Sequence, residues 1–217
     1  MSNFAAQRLH MVQSQLLPNQ VDDVRVAAAM SDVPRERFVP EAVAGVAYLD
    51  DDLEIAPGRY LMEPMVLARL LQAANTNDGE LALDVGCGTG YSSAVLAQLV
   101  GTVVGLESDE SLADQATAVL ADLGVDNAVV VGGALADGKA DQGPYNLILL
   151  GGAVAAVPQG LKDQLDEGGR LVCIVADNGI GRATVITRSG EKFLVEEVFD
   201  AMVPPLPGFE KAAGFVF

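Results

Sequence analysis

Cysteine and histidine are scarce in this 217-residue sequence, and their scarcity removes several kinds of site. The two cysteines, Cys87 and Cys173, lie far apart in or beside apolar, strand-like runs. A disulfide framework or a cysteine-based metal centre therefore has no support, and we predict no bound metal. The one histidine, His10, falls in a helical surface pattern, so no well-placed imidazole is available to activate a serine or cysteine nucleophile.

Basic residues are also few. Thirteen lysines and arginines stand against thirty aspartates and glutamates, which gives a formal net charge of −17. Such a charge repels nucleic-acid phosphates and anionic membrane surfaces, so we predict no nucleic-acid partner. No apolar run reaches the length of a membrane span, and the first ten residues lack the pattern of a signal peptide. We therefore expect no membrane span and a cytoplasmic location.

After residue 75 the sequence contains a regular alternation of short apolar runs and helical stretches. It predicts strands over 81–85, 102–106, 127–131, 145–150 and 170–175, and helices over 91–99, 110–123 and 159–165. This rhythm indicates the α/β class, with a doubly wound, mostly parallel sheet covered by helices on both faces. The apolar runs 183–188 and 193–199 flank Ser189-Gly190, which predicts an antiparallel hairpin at the edge of the sheet.

The first 75 residues follow a different pattern. Apolar residues at helical spacing predict helices over 4–17, 22–30 and 63–74, with Pro64 in the first turn of the last one. Half of the residues are hydrophobic, which suffices for a sizeable core. We predict one domain over 1–217, in which 1–75 form an N-terminal helical cap and 76–217 form the sheet.

The stretch "LALDVGCGTGY" (81–91) points to a ligand. Glycines at 86, 88 and 90 follow a buried strand, at the carboxyl end where open parallel sheets bind ligands. The third glycine of a dinucleotide fingerprint is due at Tyr91, so the spacing differs from that motif. The next strand ends at Glu107, whose carboxylate is placed to accept both hydroxyls of a ribose. Together they predict a nucleotide-like cofactor.

The D-x-G-x-G-x-G spacing that begins at Asp84 resembles the first motif of S-adenosylmethionine-dependent methyltransferases. Segments on either side resemble the protein-L-isoaspartate O-methyltransferase family: "MVQSQL" (11–16), "VDDVRVAAAMSDVPRERFVP" (21–40), "AYLDDDLEI" (47–55), "PYNLILLGGAVAAVPQGLKDQLDEGGRLV" (144–172) and "VPPLPG" (203–208). The resemblance covers almost the whole chain. It implies a Rossmann-like methyltransferase fold, S-adenosylmethionine as cofactor, and methyl transfer to the carboxylate of an isoaspartyl residue in damaged protein.

The same resemblance assigns residues to the two ligands. It makes 76–217 the part that binds the cofactor, and it places the substrate segment within 1–75. The substrate candidates are Arg59, Tyr60, Met62 and Glu63. The cofactor candidates are Asp84, Gly86, Cys87, Gly88, Thr89, Gly90, Tyr91, Glu107, Gly133 and Ala134.

The substrate segment departs from the family pattern. The family has Gly-Gln-Thr-Ile-Ser-x-Pro where residues 58–64, here named the acceptor segment, read GRYLMEP. Met62 therefore stands where the resemblance implies a serine hydroxyl at the substrate carboxylate, and the catalytic residue is unknown. Arg59 offers a cation for an anionic substrate, whereas an inward Glu63 repels one. A simpler interpretation is that Leu61 and Met62 fill the core and Glu63 caps the helix at Pro64.

Two further departures concern the sheet. The family has Gly-Asp-Gly after the third strand, with the aspartate near the adenine amino group, whereas this chain has Gly132-Gly133-Ala134. Asp137, farther along the loop, is a possible replacement that the sequence leaves open. The family aspartate that precedes the core of the fourth strand is Asn146 here.

The chemistry indicates how much these departures matter. A carboxylate is ionised at pH 7 and attacks the sulfonium methyl directly, so the reaction needs alignment and no general base. Loss of an orienting hydroxyl can cost roughly 100-fold in rate. We therefore expect weak or absent activity on isoaspartyl peptides, raised by Met62→Ser. Methyl transfer to another small acceptor and a cofactor-binding protein without catalysis remain as alternatives.

Overall fold

The computed structural model of the chain describes residues 3–176 and 180–210. Its N-terminal part is mainly helical, as the sequence predicts. The elements are α1 (Phe4–Met11), which continues through a π-helical turn (Val12–Leu16) and a 3-10 turn (Leu17–Asn19), α2 (Val24–Asp32), 3-10 turns over Arg35–Phe38 and Glu41–Val46, a hairpin of β1 (Leu53–Ala56) and β2 (Arg59–Leu61), and α3 (Pro64–Ala74). The hairpin was not predicted, because its strands are short and the acceptor segment contains little alternation.

Local signals define these helices. The side chain of Asn3 accepts a hydrogen bond from the Ala6 N–H at the start of α1, and Asp23 accepts one from the Arg25 N–H at the start of α2. Pro64 occupies the first turn of α3, where its missing N–H costs nothing. That helix ends at Asn75, whose φ of 48° is left-handed.

The second part of the chain forms one seven-stranded sheet within the described residues. Its elements are β3 (Leu81–Val85), α4 (Tyr91–Leu96), β4 (Thr102–Glu107), α5 (Glu110–Asp122), β5 (Ala128–Gly132), β6 (Tyr145–Val154), α6 (Gln159–Lys162), β7 (Leu165–Val175), β8 (Gly181–Ser189) and β9 (Lys192–Ala201). The strand order is β5-β4-β3-β6-β7-β8-β9. Strands β3 to β7 are parallel, and β8 and β9 add an antiparallel hairpin, which confirms the predicted fold class.

Several boundaries differ from the predictions, most clearly those of α6 and β7. The helix expected over 159–165 ends at Lys162, and β7 begins at Leu165 instead of residue 170. Leu165 is fully buried against the sheet, and Tyr145 pairs with it across β6 and β7. The apolar spacing that indicated a longer helix therefore belongs to a strand, since helix and strand patterns are alike over so few residues.

The core has two layers, one on each face of the sheet. On β6, Leu147 and Leu149 face a cluster that also contains residues of α1 to α5. Ile148 and Leu150 face the other cluster, which includes Leu161 of α6 and part of the C-terminal segment. The alternation follows from the two-residue period of a strand. In the strand order, β3 lies in the interior of the sheet between β4 and β6.

The scarce residue types are placed without special chemistry. Both cysteines are free thiols and buried, and burial raises the pKa of the Cys173 thiol to about 12. Across 3–176 and 180–210, no three His, Cys, Asp or Glu side chains lie together in a way that suits a metal ion. None of the helices in those two ranges combines the length and the apolar character that a membrane crossing requires.

Candidate functional site

The glycine loop (residues 86–90) leaves β3 at the carboxyl edge of the sheet. Gly86 and Gly88 have φ values of 77° and 57°, which residues with a side chain rarely adopt. The loop is also covered closely by the chain itself. A Cβ on Gly88 would lie 2.7 Å from Ile55 Cδ1, and one on Gly86 would lie 2.5 Å from Leu206 Cδ1. The absence of side chains at Gly86 and Gly88 therefore leaves room for Leu206 and Ile55, which cover the loop.

Asp84, just before this loop, is a buried acid with one unpartnered oxygen. Its Oδ2 accepts hydrogen bonds from the hydroxyls of Ser92 at 2.7 Å and Ser93 at 2.6 Å, while Oδ1 has no partner. Burial raises the pKa of Asp84 to about 6, although the two serine hydroxyls lower it in part. A buried carboxylate oxygen without a donor fits a ligand that brings an N–H, such as an ammonium group.

Glu107, at the end of β4, collects several donors. Its Oε2 accepts from the Gly88 N–H at 2.8 Å, and its Oε1 accepts from the Ser108 and Asp109 N–H groups at 2.7 and 3.0 Å. The guanidinium of Arg59 completes the set with two parallel bonds, Nη2 to Oε2 at 2.6 Å and Nη1 to Oε1. Both side chains of this ion pair are buried. The acceptor segment and the glycine loop thus meet at one carboxylate.

The acceptor segment lies directly over the glycine loop. Met62 is buried and lines one narrow cavity, of about 20 Å³, together with Gly86, Cys87 and Gly88. The Met62 carbonyl accepts a hydrogen bond of 2.8 Å from the buried Arg35 guanidinium. The segment therefore lies over the carboxyl edge of the sheet, beside the glycine loop.

A second small pocket, here named the acceptor pocket, opens on the other side of the segment. It has a volume of about 10 Å³ and is lined by Asp52, Gly58, Arg59, Tyr60, Met62, Gly151, Gly152, Val203, Pro204, Pro205, Leu206 and Pro207. Its charged lining consists of Asp52 and Arg59. Because Arg59 is bound to Glu107, no cation in this lining is free. The pocket therefore presents little that attracts a carboxylate in this conformation.

Glu63 lies beside a group of acids. Its N–H donates to Asp52 Oδ1 at 2.9 Å, and the Met65 N–H donates to Asp50 Oδ1 at 3.0 Å. Burial, followed by the charges of Asp52, Asp50 and Asp51, raises the pKa of Glu63 to about 7. Its carboxylate makes no capping bond to α3. The simpler interpretation thus holds for the burial of Leu61 and Met62 but not for a Glu63 cap.

Two predicted cofactor residues, Thr89 and Tyr91, contact the N-terminal part of the chain and do not line these two cavities. The Thr89 hydroxyl donates to the Phe38 carbonyl at 2.5 Å, and the Tyr91 ring packs against Phe38 and under the Arg35 guanidinium. These contacts tie the glycine loop to the N-terminal part. Burial raises the pKa of the Cys87 thiol well above its ordinary value. Direct cofactor contacts by Cys87, Thr89 and Tyr91 stay predictions.

The loop after β5 lies on the outer side of Glu107. The Gly133 N–H donates to the Glu107 carbonyl at 3.0 Å, and Ala134 is exposed beside it. A hollow of about 410 Å³ begins here, lined by Glu107, Ser108, Glu110, Ala113, Asp114, Thr117, Val130 and Gly132. Its size lies within the usual range for small-molecule sites. Asp137 is exposed, and its side chain is outside this lining.

Two residues of the site escaped the sequence analysis. Ser92 and Ser93 hold Asp84, and the available signal was a pair of hydroxyls in a helix that is otherwise apolar and fully buried. The pairing of Arg59 with Glu107 was also missed, because the two residues were assigned to different ligands. No spacing rule connects residues 48 positions apart.

Comparisons with known proteins give the family. The family model described as Protein-L-isoaspartate(D-aspartate) O-methyltransferase (PCMT) matches residues 7–208. The chain belongs to the protein-L-isoaspartate O-methyltransferase family. It is 40% identical over 211 residues to Protein-L-isoaspartate O-methyltransferase 1 of Rhodopseudomonas palustris, covering 96% of this chain and 86% of the relative. It is 36% identical to the enzyme of Herpetosiphon aurantiacus, covering 93% and 90%.

Solved structures agree with this methyltransferase family in fold. A protein-L-isoaspartate O-methyltransferase structure superposes with a TM-score of 0.80 at 24% identity, covering 93% of this chain and 66% of that one. A Plasmodium falciparum structure, described as a protein-L-isoaspartate O-methyltransferase in complex with S-adenosyl-L-homocysteine, gives 0.77 at 21% identity, covering 94% and 97%. At these identities the likeness establishes the fold.

Not all departures from the methyltransferase family pattern fall at the site. Asn146 lies at the amino end of β6, where its Oδ1 accepts the Leu81 N–H at 2.9 Å and its carbonyl accepts from Arg170. This is the opposite edge of the sheet from the glycine loop, since β3 and β6 are parallel. The asparagine therefore ties two strands together, whereas Met62 and Arg59 alter the site itself.

Proposed function

We propose that this chain transfers a methyl group from S-adenosylmethionine to the carboxylate of isoaspartyl residues in damaged protein. Family membership over residues 7–208 supports the activity. The observation that carries the cofactor assignment is the unpartnered, buried Oδ1 of Asp84 next to the glycine loop. That oxygen suits the ammonium of the cofactor's amino-acid end, and Glu107 suits its ribose hydroxyls. We assign Gly133 and Ala134, which follow β5, to the adenine side of the same cofactor site.

The chain's own residues act by position in this reaction. The bound cofactor supplies an electrophilic methyl on a sulfonium. A carboxylate oxygen of the acceptor forms the new C–O bond as the S–CH₃ bond breaks, so a methyl ester and S-adenosylhomocysteine leave. No proton moves, because the acceptor carboxylate is ionised at neutral pH. Tyr60, Met62 and the C-terminal segment at Pro204 and Leu206 enclose the acceptor pocket and exclude water from it.

One assay tests this proposal. The chain is incubated with radiolabelled S-adenosylmethionine and an isoaspartyl peptide, beside the same peptide with ordinary aspartate. We expect label in the isoaspartyl peptide and little in the control. Calorimetric titration with S-adenosylhomocysteine checks cofactor binding separately. Absence of binding at protein concentrations well above micromolar would refute the methyltransferase proposal as a whole.

Methyl transfer to a different small acceptor is a second candidate, and the acceptor pocket favours it. Met62 replaces a hydroxyl that could orient a carboxylate, and a thioether is at best a weak acceptor. The neighbouring Asp52 repels an anion. This candidate would be favoured by a chain that binds S-adenosylhomocysteine but labels neither peptide. A cofactor-binding protein without catalysis would give the same result. An assay with uncharged acceptors separates the two candidates, because a protein without catalysis leaves these acceptors unlabelled.

We further infer the partners, the location and the domain organisation of the protein. A net charge of −17 supports a role without nucleic acid and is compatible with a cytoplasmic enzyme. We also propose that residues 1–217 act as one methyltransferase domain, with 1–75 as cap and substrate segment and 76–217 as cofactor-binding sheet. The shared core supports this, because Met11, Val66 and Val172 belong to one buried cluster.

A further inference from the structure

Arg59 occupies the place that the cofactor needs. Of the two Glu107 oxygens, Oε1 accepts one guanidinium bond and two backbone N–H bonds, and Oε2 accepts one guanidinium bond and the Gly88 N–H. A carboxylate offers about four lone-pair sites. Together with a longer bond of 3.4 Å from the Ser108 hydroxyl to Oε1, these bonds exceed that number, so a ribose hydroxyl finds a free site on Glu107 only after the two guanidinium bonds have opened.

The space over the glycine loop, next to this ion pair, is also closed, whereas the hollow of about 410 Å³ lies on the outer side of Glu107. The narrow cavity over Gly86 and Gly88 has about 20 Å³, whereas small-molecule sites measure about 300–1,000 Å³. Ile55 of the β1–β2 hairpin closes it, since its Cδ1 lies 2.7 Å from the place that a Gly88 Cβ would take. Arg59 begins β2 of the same hairpin. Cofactor entry therefore requires this hairpin and Arg59 to move together.

We propose that Arg59 changes partner during the reaction cycle: it neutralises Glu107 in the free enzyme and, once the ribose hydroxyls occupy Glu107, its guanidinium binds the carboxylate of the acceptor. This inference rests on the proposed use of S-adenosylmethionine and an isoaspartyl acceptor. In this cycle Arg59 is a positioning residue, and its guanidinium becomes available to an acceptor only after the cofactor has bound.

The surroundings of Arg59 favour the acceptor carboxylate as the new partner of the displaced guanidinium. A buried guanidinium without an anionic partner is costly, so it must find another anion or reach water. Arg59 also lines the acceptor pocket, where Asp52 is the other charged group, and neither the pocket nor the narrow cavity has another arginine or lysine in its lining. An acceptor carboxylate beside Asp52 needs a cation, because Met62 offers no donor. Arg59 satisfies both requirements at once.

The partner exchange predicts opposite effects on the two ligands, which a loss of structure does not produce. In Arg59→Gln, which restores the residue of the family pattern, Glu107 is released for the ribose. We expect the Kd for S-adenosylhomocysteine, measured by calorimetry, to fall about tenfold, because the binding-competent state no longer competes with the ion pair. We expect the KM for an isoaspartyl peptide, at saturating S-adenosylmethionine, to rise about tenfold through loss of the cation.

Two further variants complete the test. Arg59→Lys keeps the charge but not the two parallel bonds, so its Kd is expected to fall with little change in KM. Arg37→Gln removes an exposed arginine that pairs with Asp122 at 2.5 Å, and neither constant should change. Arg59→Gln values that rise together, or either value unchanged, would overturn the partner exchange while leaving the methyltransferase proposal intact. A natural chain that neither binds S-adenosylhomocysteine nor methylates the peptide would refute both.

Discussion

The glycine loop and the acceptor segment face each other across one narrow cavity, and they differ in the hydrogen bonds that their polar groups make. Around the glycine loop, Asp84 and Glu107 are held by hydroxyl and backbone donors, and one oxygen of Asp84 is left for a ligand. In the acceptor segment, Met62 contributes an apolar side chain and a backbone carbonyl bound to Arg35. The cofactor side thus has a prepared polar site, whereas the acceptor side has none in this conformation.

This difference coincides with the place where the chain departs from the family pattern. We assign the cofactor to the carboxylates at the ends of β3 and β4, and Asp84, the first of them, lies in a motif that matches the family pattern. The acceptor side meets a peptide whose carboxylate is already reactive, and alignment can be supplied in more than one way. The substitutions at Arg59 and Met62 fall on that side.

The largest effect is expected from Glu107→Ala, which removes the carboxylate that both regions share. Binding of S-adenosylhomocysteine should weaken at least about 100-fold through loss of two charge-assisted bonds, as measured by calorimetry. Stability should fall by about 3–5 kcal/mol because Arg59 is left buried without a partner. Glu197→Ala, at an exposed ion pair with Arg182, is the matched control and should change neither. Full affinity in Glu107→Ala would show that the cofactor track lies elsewhere.

The next largest effect concerns Asp84 and has a defined pH dependence. The pKa of about 6 exceeds the usual value of 3.8, so in the free protein the ionised form costs stability as pH rises from about 4 to about 6. Binding of an ammonium needs the ionised form, so affinity for S-adenosylhomocysteine should be lost as pH falls through about 6. Asp84→Asn should weaken binding roughly 30-fold at pH 8 and remove this dependence. Asp122→Asn, on the surface, serves as the control, and a pH profile unchanged by Asp84→Asn would contradict the assignment.

A smaller effect is expected at Met62, whose apolar side chain stands where the family pattern has a serine hydroxyl. Met62→Ser restores a hydroxyl donor and should raise kcat/KM for an isoaspartyl peptide about tenfold. Met62→Ala creates the same space without the hydroxyl and should give no such gain. Arg59 and Tyr60 also depart from the family pattern, and neighbouring changes do not add independently. Equal gains in both variants would mean that Met62 acts by its size.

The smallest effect is expected at Glu63. Its pKa of about 7 means that the side chain gains a negative charge as pH rises from about 6 to about 8. If that charge repels an acceptor carboxylate, KM for the isoaspartyl peptide should rise about threefold over this range. Glu63→Gln should flatten the profile, and Glu196→Gln, at an exposed position of β9, should leave it unchanged. A flat profile in the natural chain would place Glu63 outside the acceptor path.

The sequence alone was sufficient for the class of the sheet, whereas the cofactor contacts that it indicates stay predictions. Strand β3 was predicted with its observed bounds, and the fold class is confirmed, because alternating strands and helices have few ways to pack. Glu107 was located from its position at the end of a strand. These features depend on local periodicity and on the rule that parallel strands present their carboxyl ends at one edge.

Only the tertiary structure decided which side chains meet there. The β1–β2 hairpin, the serines that hold Asp84, and the pair between Arg59 and Glu107 depend on contacts between segments, and their energies come from burial and geometry that local pattern does not encode. The sequence identified Arg59 as a cation near the acceptor. That its charge is neutralised by Glu107, and is available to an acceptor only if that pair opens, follows from two side chains buried together.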